Sequence, residues 1–512
     1  MAKWQGTRHL DATPGSDRKV VDFKHPADMR KALDAKWIDH PLNTTGESLM
    51  NLGAKGLDLN GREGADALSG LLAHVSTLSV DTSHPMFFNQ LYGTMDPAAL
   101  ASELSATFEN TSNYTYEAAP AYSMMEHEVL RAFTGLLGET WKYGEDSEGL
   151  IVPGGSLGNL YSLHLARHHY FPKVKELGNS CMGDCVAFVS EEAHYSFLKT
   201  IGVLGLGRAN LIKIKNAGKG GMDVAELEKA ILKAKAENKR PWYIGTTAGS
   251  TVRGTYDPFN KVADIANKYD CWMHVDGAWG GAALFSERPE IKDLCKGIER
   301  CDSMTINPHK MLGAPLQVTV LLCHHKGLLI STNSSEAGYL FDKRKQGAEL
   351  DVGDGTFMCG RRNDAVKVWG MWKYRGQKGF QSRVDHAAGA LDMFAAKIRK
   401  NDNFMLACET WPFNLNFFYL PKRFRKMLED RGIPTDGSVY DLPADISAEI
   451  NNVAIILKKR LQDAGVAMLP YQPLSNQTAQ VFRVVLAGCR DDWGEKEIDV
   501  LMANLVKYGD DL

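Results

Sequence analysis

Between residues 186 and 323 the chain alternates short apolar runs with helical ones, and no other property narrows its fold as much. Residues 186–189, 211–214, 242–244, 271–275, 303–306 and 318–323 are apolar runs too short for helices. Residues 195–202, 259–269 and 289–298 carry helical spacing. So does a stretch opened by Asp223, where Glu226 three residues on completes a capping-box signature. Apolar strands separated by helices imply right-handed crossovers and a mostly parallel sheet covered on both faces. The fold class is α/β.

Three regions follow from the flanks of this core. Residues 1–90 read as an N-terminal arm or cap, with a helical piece at 29–37. Residues 91–375 read as the large domain, including an amphipathic helix over 121–137. Residues 333–360 are rich in glycine and charge without a period, the pattern of a long functional loop. Residues 364–399 are helical with a bend expected near Gly376 or Gly379. From 376 to 512 a smaller α+β domain is expected, with strands at 413–420 and 481–486 and helices at 447–464 and 495–508.

Composition excludes more than it assigns. A net charge of -3 over 512 residues, without a Lys/Arg block, argues against a nucleic-acid partner. The N-terminal residues lack a secretory apolar core, and no stretch is apolar enough to span a bilayer, so no membrane role is expected. The nine cysteines are scattered. Cys181 and Cys185 have no second pair to complete a zinc site, so buried thiols in the cytoplasm are the simplest reading. His164 and His168 lie four apart on a helix but lack the carboxylate of an H-E-x-x-H pattern, and no metal is expected.

Ligands of open α/β sheets sit at the carboxyl ends of the strands. Asp276 ends one apolar strand, where a carboxylate needs a partner or a ligand. Lys310, in Asn307-Pro308-His309-Lys310, ends the next, where partial burial would lower its pKa toward nucleophilic competence. Alone, Asp276 is equally well a turn residue and Lys310 a solvated loop lysine. Pro153-Gly154-Gly155-Ser156 opens a helix whose free N–H groups suit a phosphate, although it matches neither a P-loop nor a dinucleotide fingerprint. His194 follows the strand ending at residue 189 and falls at the same sheet edge. A phosphate cradle, a strand-end carboxylate and a reactive lysine together are the set that pyridoxal 5'-phosphate (PLP) requires.

These segments, with His274-Val275-Asp276, closely resemble the group II PLP-dependent amino-acid decarboxylases. The resemblance extends from about residue 84 to the C-terminus through His84-Pro85-Met86-Phe87-Phe88-Asn89-Gln90-Leu91, Tyr114-Thr115-Tyr116-Glu117, Gly249-Ser250-Thr251, Cys359-Gly360-Arg361-Arg362 and Val481-Phe482-Arg483-Val484-Val485. It implies a fold-type I, aspartate aminotransferase-like architecture and a homodimer. It makes Lys310 the Schiff-base lysine, Asp276 the partner of the pyridine nitrogen and His194 the ring-stacking histidine. Gly155, Ser156 and Asn307 become phosphate contacts, Thr251 a neighbour of the cofactor and His309 a residue near the substrate. Phe88, Gln90 and Ser112 would line the substrate pocket, and Arg483 would clamp the substrate's side-chain acid. Many members carry a loop tyrosine as the Cα proton donor, where this chain has Leu350, with Tyr339 the nearest tyrosine upstream.

The segments containing Phe88, Gln90, Ser112 and Tyr114 are similar to the acidic-substrate branch, with cysteine sulfinate, glutamate and aspartate decarboxylases. The expected reaction is α-decarboxylation of a small acidic amino acid, cysteine sulfinate or aspartate ahead of glutamate. An aminotransferase or aldehyde-forming enzyme would use the same Lys310 and Asp276, and a non-catalytic protein on this fold would bind no cofactor covalently.

Overall fold

The computed structural model describes residues 19–22, 24, 28 and 65–512, apart from 219, 336, 343, 434–441, 475–478 and 489. The helical piece expected at 29–37 lies outside these residues. The centre is a seven-stranded sheet of β1 (Glu148–Val152), β2 (Cys185–Ser190), β3 (Leu211–Ile214), β4 (Arg240–Thr247), β5 (Trp272–Gly277), β6 (Ser303–Ile306) and β7 (Thr319–Cys323), in the order β1-β7-β6-β5-β4-β2-β3. Only β7 runs antiparallel to its neighbours. β2, β5, β6 and β7 are buried along their whole length, as strands covered on both faces must be.

Two departures from the sequence expectation have local causes. β4 runs on through Gly245, Thr246 and Thr247, because the Thr246 hydroxyl donates to the His274 carbonyl at 2.8 Å and so tolerates burial. At the helix Val224–Ala236, Asp223 caps Ala225 N and Glu226 N, but Glu226 pairs with Lys229 at 3.2 Å instead of reaching back. Only half of the capping box forms.

A second sheet, β8 (Phe404–Leu406), β9 (Leu415–Tyr419), β10 (Tyr471–Pro473) and β11 (Gln480–Val484), is antiparallel in the order β10-β11-β9-β8. It packs with the helices Ala444–Asp463 and Glu495–Gly509 into a core of its own. The helix Ala365–Ile398 runs between the two cores and breaks its geometry at Gly376, whose φ of 65° and ψ of 176° favour a residue without a Cβ. Among the described residues no helix is long and apolar enough to cross a membrane.

Among its described residues the 333–360 loop carries two single 3-10 turns beyond its first residue. It is tied down by Asp351, which accepts from Tyr116 N at 2.7 Å, and by Gly353 N donating to the Tyr114 carbonyl at 2.9 Å.

Candidate active site

Each functional side chain enters from the carboxyl edge of the parallel strands. After β1, Pro153 and Gly154 turn the chain into the helix Gly155–Tyr170, whose first two N–H groups, unlike that of Leu157, make no backbone hydrogen bond among the described residues. A Cβ on Gly155 would stand 3.0 Å from Asn307 Nδ2 and 3.1 Å from Ala278 Cβ, so only glycine leaves this end open. His194 follows β2; Thr247 ends β4, with Gly249 and Thr251 in the turn beyond. Asp276 lies in β5, and Asn307, His309 and Lys310 follow β6. Gly155, Ser156, His194, Thr251, Asp276, Asn307, His309 and Lys310 all line one cavity of about 280 Å³.

Burial lowers the Lys310 ammonium from the ordinary lysine range; the Asp276 charge opposes that shift and Arg483 reinforces it. Burial likewise lowers the His194 imidazolium, again against the pull of Asp276. His309 is pushed down to about 4 by burial and holds the backbone of Val318 through Nδ1, at 2.6 Å from the carbonyl.

Behind Asp276 runs a buried polar chain that the sequence reading did not assign. Asp276 Oδ1 accepts from Ala278 N at 3.0 Å, and Oδ2 accepts from Asn159 Nδ2 at 2.7 Å. A carboxylate only accepts, so Asn159 must turn its amide nitrogen toward it and its oxygen toward His274 Nε2, 3.0 Å away. His274, pushed down to about 4 by complete burial, is neutral and carries its single proton on Nε2. Its Nδ1 must then accept from Ser303 Oγ at 2.8 Å, and Ser303 accepts in turn from the Trp272 indole at 2.9 Å. The indole N–H is a donor only, so every proton in the chain has one place. The signal for Asn159 was its position one helical turn beyond Gly155, on the face that meets the sheet edge.

His274 gives a pH prediction with a definite sign. Its folded pKa lies below the unfolded value of 6.5, so the stability it contributes is intact above about pH 6.5 and is lost as pH falls toward 4. In His274→Gln the slope of unfolding free energy against pH across that window should be smaller by about 1.4 kcal/mol per pH unit. Urea unfolding of the cofactor-free protein at stepped pH measures it; an unchanged slope means His274 is charged in the fold.

Arg483 lies beside this cavity. It is 4% exposed, and its pKa is pushed down to about 10 by burial. Its Nη1 donates to the Thr251 carbonyl at 2.7 Å and its Nη2 reaches the Asn89 carbonyl at 3.5 Å, while Nε has no hydrogen-bond partner among the described residues. Among the described residues no carboxylate pairs with it.

The remaining expected residues fall elsewhere. Phe88 lies not on the cavity but in the C-terminal core, 1% exposed and edge-on to Trp493 at 5.8 Å, because burial against that core outweighs a place on a polar wall. Gln90 is half-buried, adjacent in sequence to Asn89. Ser112 exchanges hydrogen bonds with the Arg361 backbone, accepting from its N at 3.0 Å. That places it behind a second cavity of about 410 Å³, which shares Pro153 and Gln317 with the first. Among the described residues no group of three or more His, Cys, Asp or Glu is placed to hold a metal ion.

Residues 61–419 match the family model described as the pyridoxal-dependent decarboxylase conserved domain. Glutamate decarboxylase of Drosophila melanogaster is 36% identical over 98% of this chain and 91% of its own length. Cysteine sulfinic acid decarboxylase of Mus musculus is 35% identical over 98% and 93%. The crystal structure of mouse CSAD superposes with a TM-score of 0.86 at 33% identity, covering 100% of this chain and 97% of that one.

Proposed function

The chain belongs to the pyridoxal-dependent decarboxylase family, and from that premise we propose that it removes the α-carboxylate of a small acidic L-amino acid, releasing the amine and carbon dioxide. The single observation that carries the acidic preference is Arg483, a buried guanidinium with no carboxylate partner among the described residues, hydrogen-bonded to the carbonyl of Thr251, which lines the cavity. A buried unpaired cation is costly, and a substrate acid would relieve it. Cysteine sulfinate and aspartate are the favoured substrates. Glutamate, one methylene longer, is the alternative, and a methylene is worth only about 1–3 kcal/mol of discrimination.

The residues fit the cofactor. The open helix start at Gly155 and Ser156, with Asn307 beside it, suits the phosphate; Thr247 Oγ1 at the cavity wall is buried without a hydrogen-bond partner. Asp276 would hold a proton at the pyridine nitrogen, Lys310 would carry the cofactor covalently, and His194 would cover the ring face. Bound PLP supplies the electron sink for the pair left at Cα when the carboxylate departs. Arg483 would orient the side-chain acid and so help fix which Cα bond is broken. Leu350 has no proton to give to Cα, and Tyr339 is 83% exposed. Within the cavity the groups able to carry that proton include Lys310, His194, Tyr195 and His309.

Two further readings complete the proposal. The enzyme acts as a homodimer: Tyr195 lines the cavity yet is 61% exposed, leaving a wall for a second copy to cover. It works in the cytoplasm, as the eight described cysteines, all unpaired, suit a reducing compartment.

The test is Arg483→Ala. Losing hydrogen bonds to a charged group costs about 1.5–3 kcal/mol, so KM for acidic substrates should rise about 10- to 100-fold, with a much smaller effect on neutral amino acids. Steady-state kinetics on both classes decides it. An equal loss on both would remove the clamp.

A further inference from the structure

Behind Thr251, which lines the cavity, lies a buried charge pair that the decarboxylation chemistry does not use. Arg253 Nε lies 3.1 Å from Glu192 Oε1, with the two side chains 7% and 10% exposed. Glu192 Oε2 also accepts from Ser250 Oγ at 2.9 Å and from Thr255 Oγ1 at 3.0 Å. Ser250 and Thr255 are the two feet of a tight turn, closed by Ser250 N to the Thr255 carbonyl at 3.0 Å and Gly254 N to the Ser250 carbonyl at 2.9 Å. One carboxylate therefore grips both feet and the arginine inside the turn.

The tip of the same turn is gripped from the C-terminal domain. Asn414 Nδ2 donates to the carbonyls of Thr251 at 3.2 Å and Val252 at 2.9 Å, and Asn416 Nδ2 reaches Val252 O at 3.1 Å. The Thr251 carbonyl is also, among the described residues, the short contact that orients Arg483. Glu192 is thus joined to the Arg483 guanidinium through a single rigid turn. Buried ion pairs add little net stability over apolar packing of the same shape, so stability alone is a poor reason for this one.

We propose that Glu192 and Arg253 are positioning residues that set the site's affinity for the substrate's side-chain acid, by fixing the Thr251 carbonyl and through it the direction of Arg483. The proposal rests on the reading of Arg483 as the side-chain clamp. Glu192→Gln keeps the shape and an acceptor for the hydroxyls but gives up the ion pair.

The test is a double-mutant cycle on the PLP-loaded enzyme with Glu192→Gln, Arg483→Ala and both together. It is read by KM and kcat on aspartate, cysteine sulfinate, glutamate and a neutral amino acid, and by calorimetric binding of succinate. For Glu192→Gln the KM for the best acidic substrate should rise about 5- to 20-fold with kcat changed less than about 3-fold, and succinate should weaken in parallel. On top of Arg483→Ala, the same change should add less than about 2-fold, because neighbours acting through one contact are not additive. If Arg483→Ala weakens acidic substrates and Glu192→Gln does not, the inference falls and the clamp stands. Should Arg483→Ala leave acidic substrates unchanged, the clamp falls and takes the inference with it. Equal losses on acidic and neutral substrates would show a structural role and overturn the inference. If Glu192→Gln does not fold, Glu192→Gln/Arg253→Gln leaves no unpaired buried charge and is held to the same outcomes.

Discussion

Lys310→Ala is expected to lower kcat by at least about 10³-fold while leaving the fold intact. The lysine is anchored at both its backbone groups: its N donates to the Asn307 carbonyl at 3.0 Å, and its carbonyl accepts from Gly488 N at 2.9 Å. The side chain is therefore delivered to the cavity by the same turn that brings Asn307 to the helix start. Burial leaves more of its amine neutral near pH 7 than an exposed lysine would have, which is the form that attacks a carbonyl. Removing it relieves a desolvated cation, so no large loss of stability accompanies the loss of turnover. Borohydride treatment followed by peptide mass analysis should find the cofactor attached at residue 310 in the parent chain and nowhere in the variant. A variant that kept both a reducible attachment and full activity would require another lysine.

The second large effect is expected at Asp276. Both Asp276→Ala and Asp276→Asn should lower kcat by about 10²- to 10⁴-fold, with the cofactor still attached to Lys310. The asparagine variant is the more informative because it keeps the shape. Both Asp276 oxygens already accept, Oδ2 from Asn159 Nδ2 and Oδ1 from Ala278 N, so the asparagine can answer only one of these donors with its oxygen and must set its N–H₂ against the other. It also brings no negative charge to hold a proton at the ring nitrogen. Asn159 has no easy escape by flipping, since His274, Ser303 and the donor-only Trp272 fix its orientation from behind. Single-turnover decarboxylation separates this chemical defect from substrate binding; an unchanged rate would mean that electron withdrawal at Cα does not depend on this carboxylate.

The sheet was legible because its strands are apolar on both faces and nearly every connection is a helix with a regular apolar stripe. β3, β6 and the helix Phe259–Tyr269 coincide with the runs read from sequence. β1 was not read, since five residues opening with Glu148 and Gly149 resemble a loop until β7 pairs with them. The cavity lining was legible wherever a residue sits at a strand end or a helix start, as Gly155, Asp276 and Lys310 do. What lay beyond the sequence was the contact between residues far apart in the chain: the Asn159–His274 chain behind Asp276, the grip of Glu192 on its turn, and the packing of Phe88 into a core assembled mostly from residues beyond 386. Side-chain partners of that kind depend on where the layers meet, which periodicity does not encode.

The central claim is that this site removes the α-carboxylate of an acidic amino acid. It is tested most directly by giving the purified, PLP-loaded protein carboxyl-labelled aspartate, cysteine sulfinate, glutamate and an aromatic amino acid, and measuring carbon dioxide together with the organic product. We expect carbon dioxide and the corresponding amine in equal amounts, fastest from cysteine sulfinate or aspartate and negligible from the aromatic substrate. Keto acid or aldehyde as the main product, or turnover of the aromatic substrate ahead of every acidic one, would contradict it.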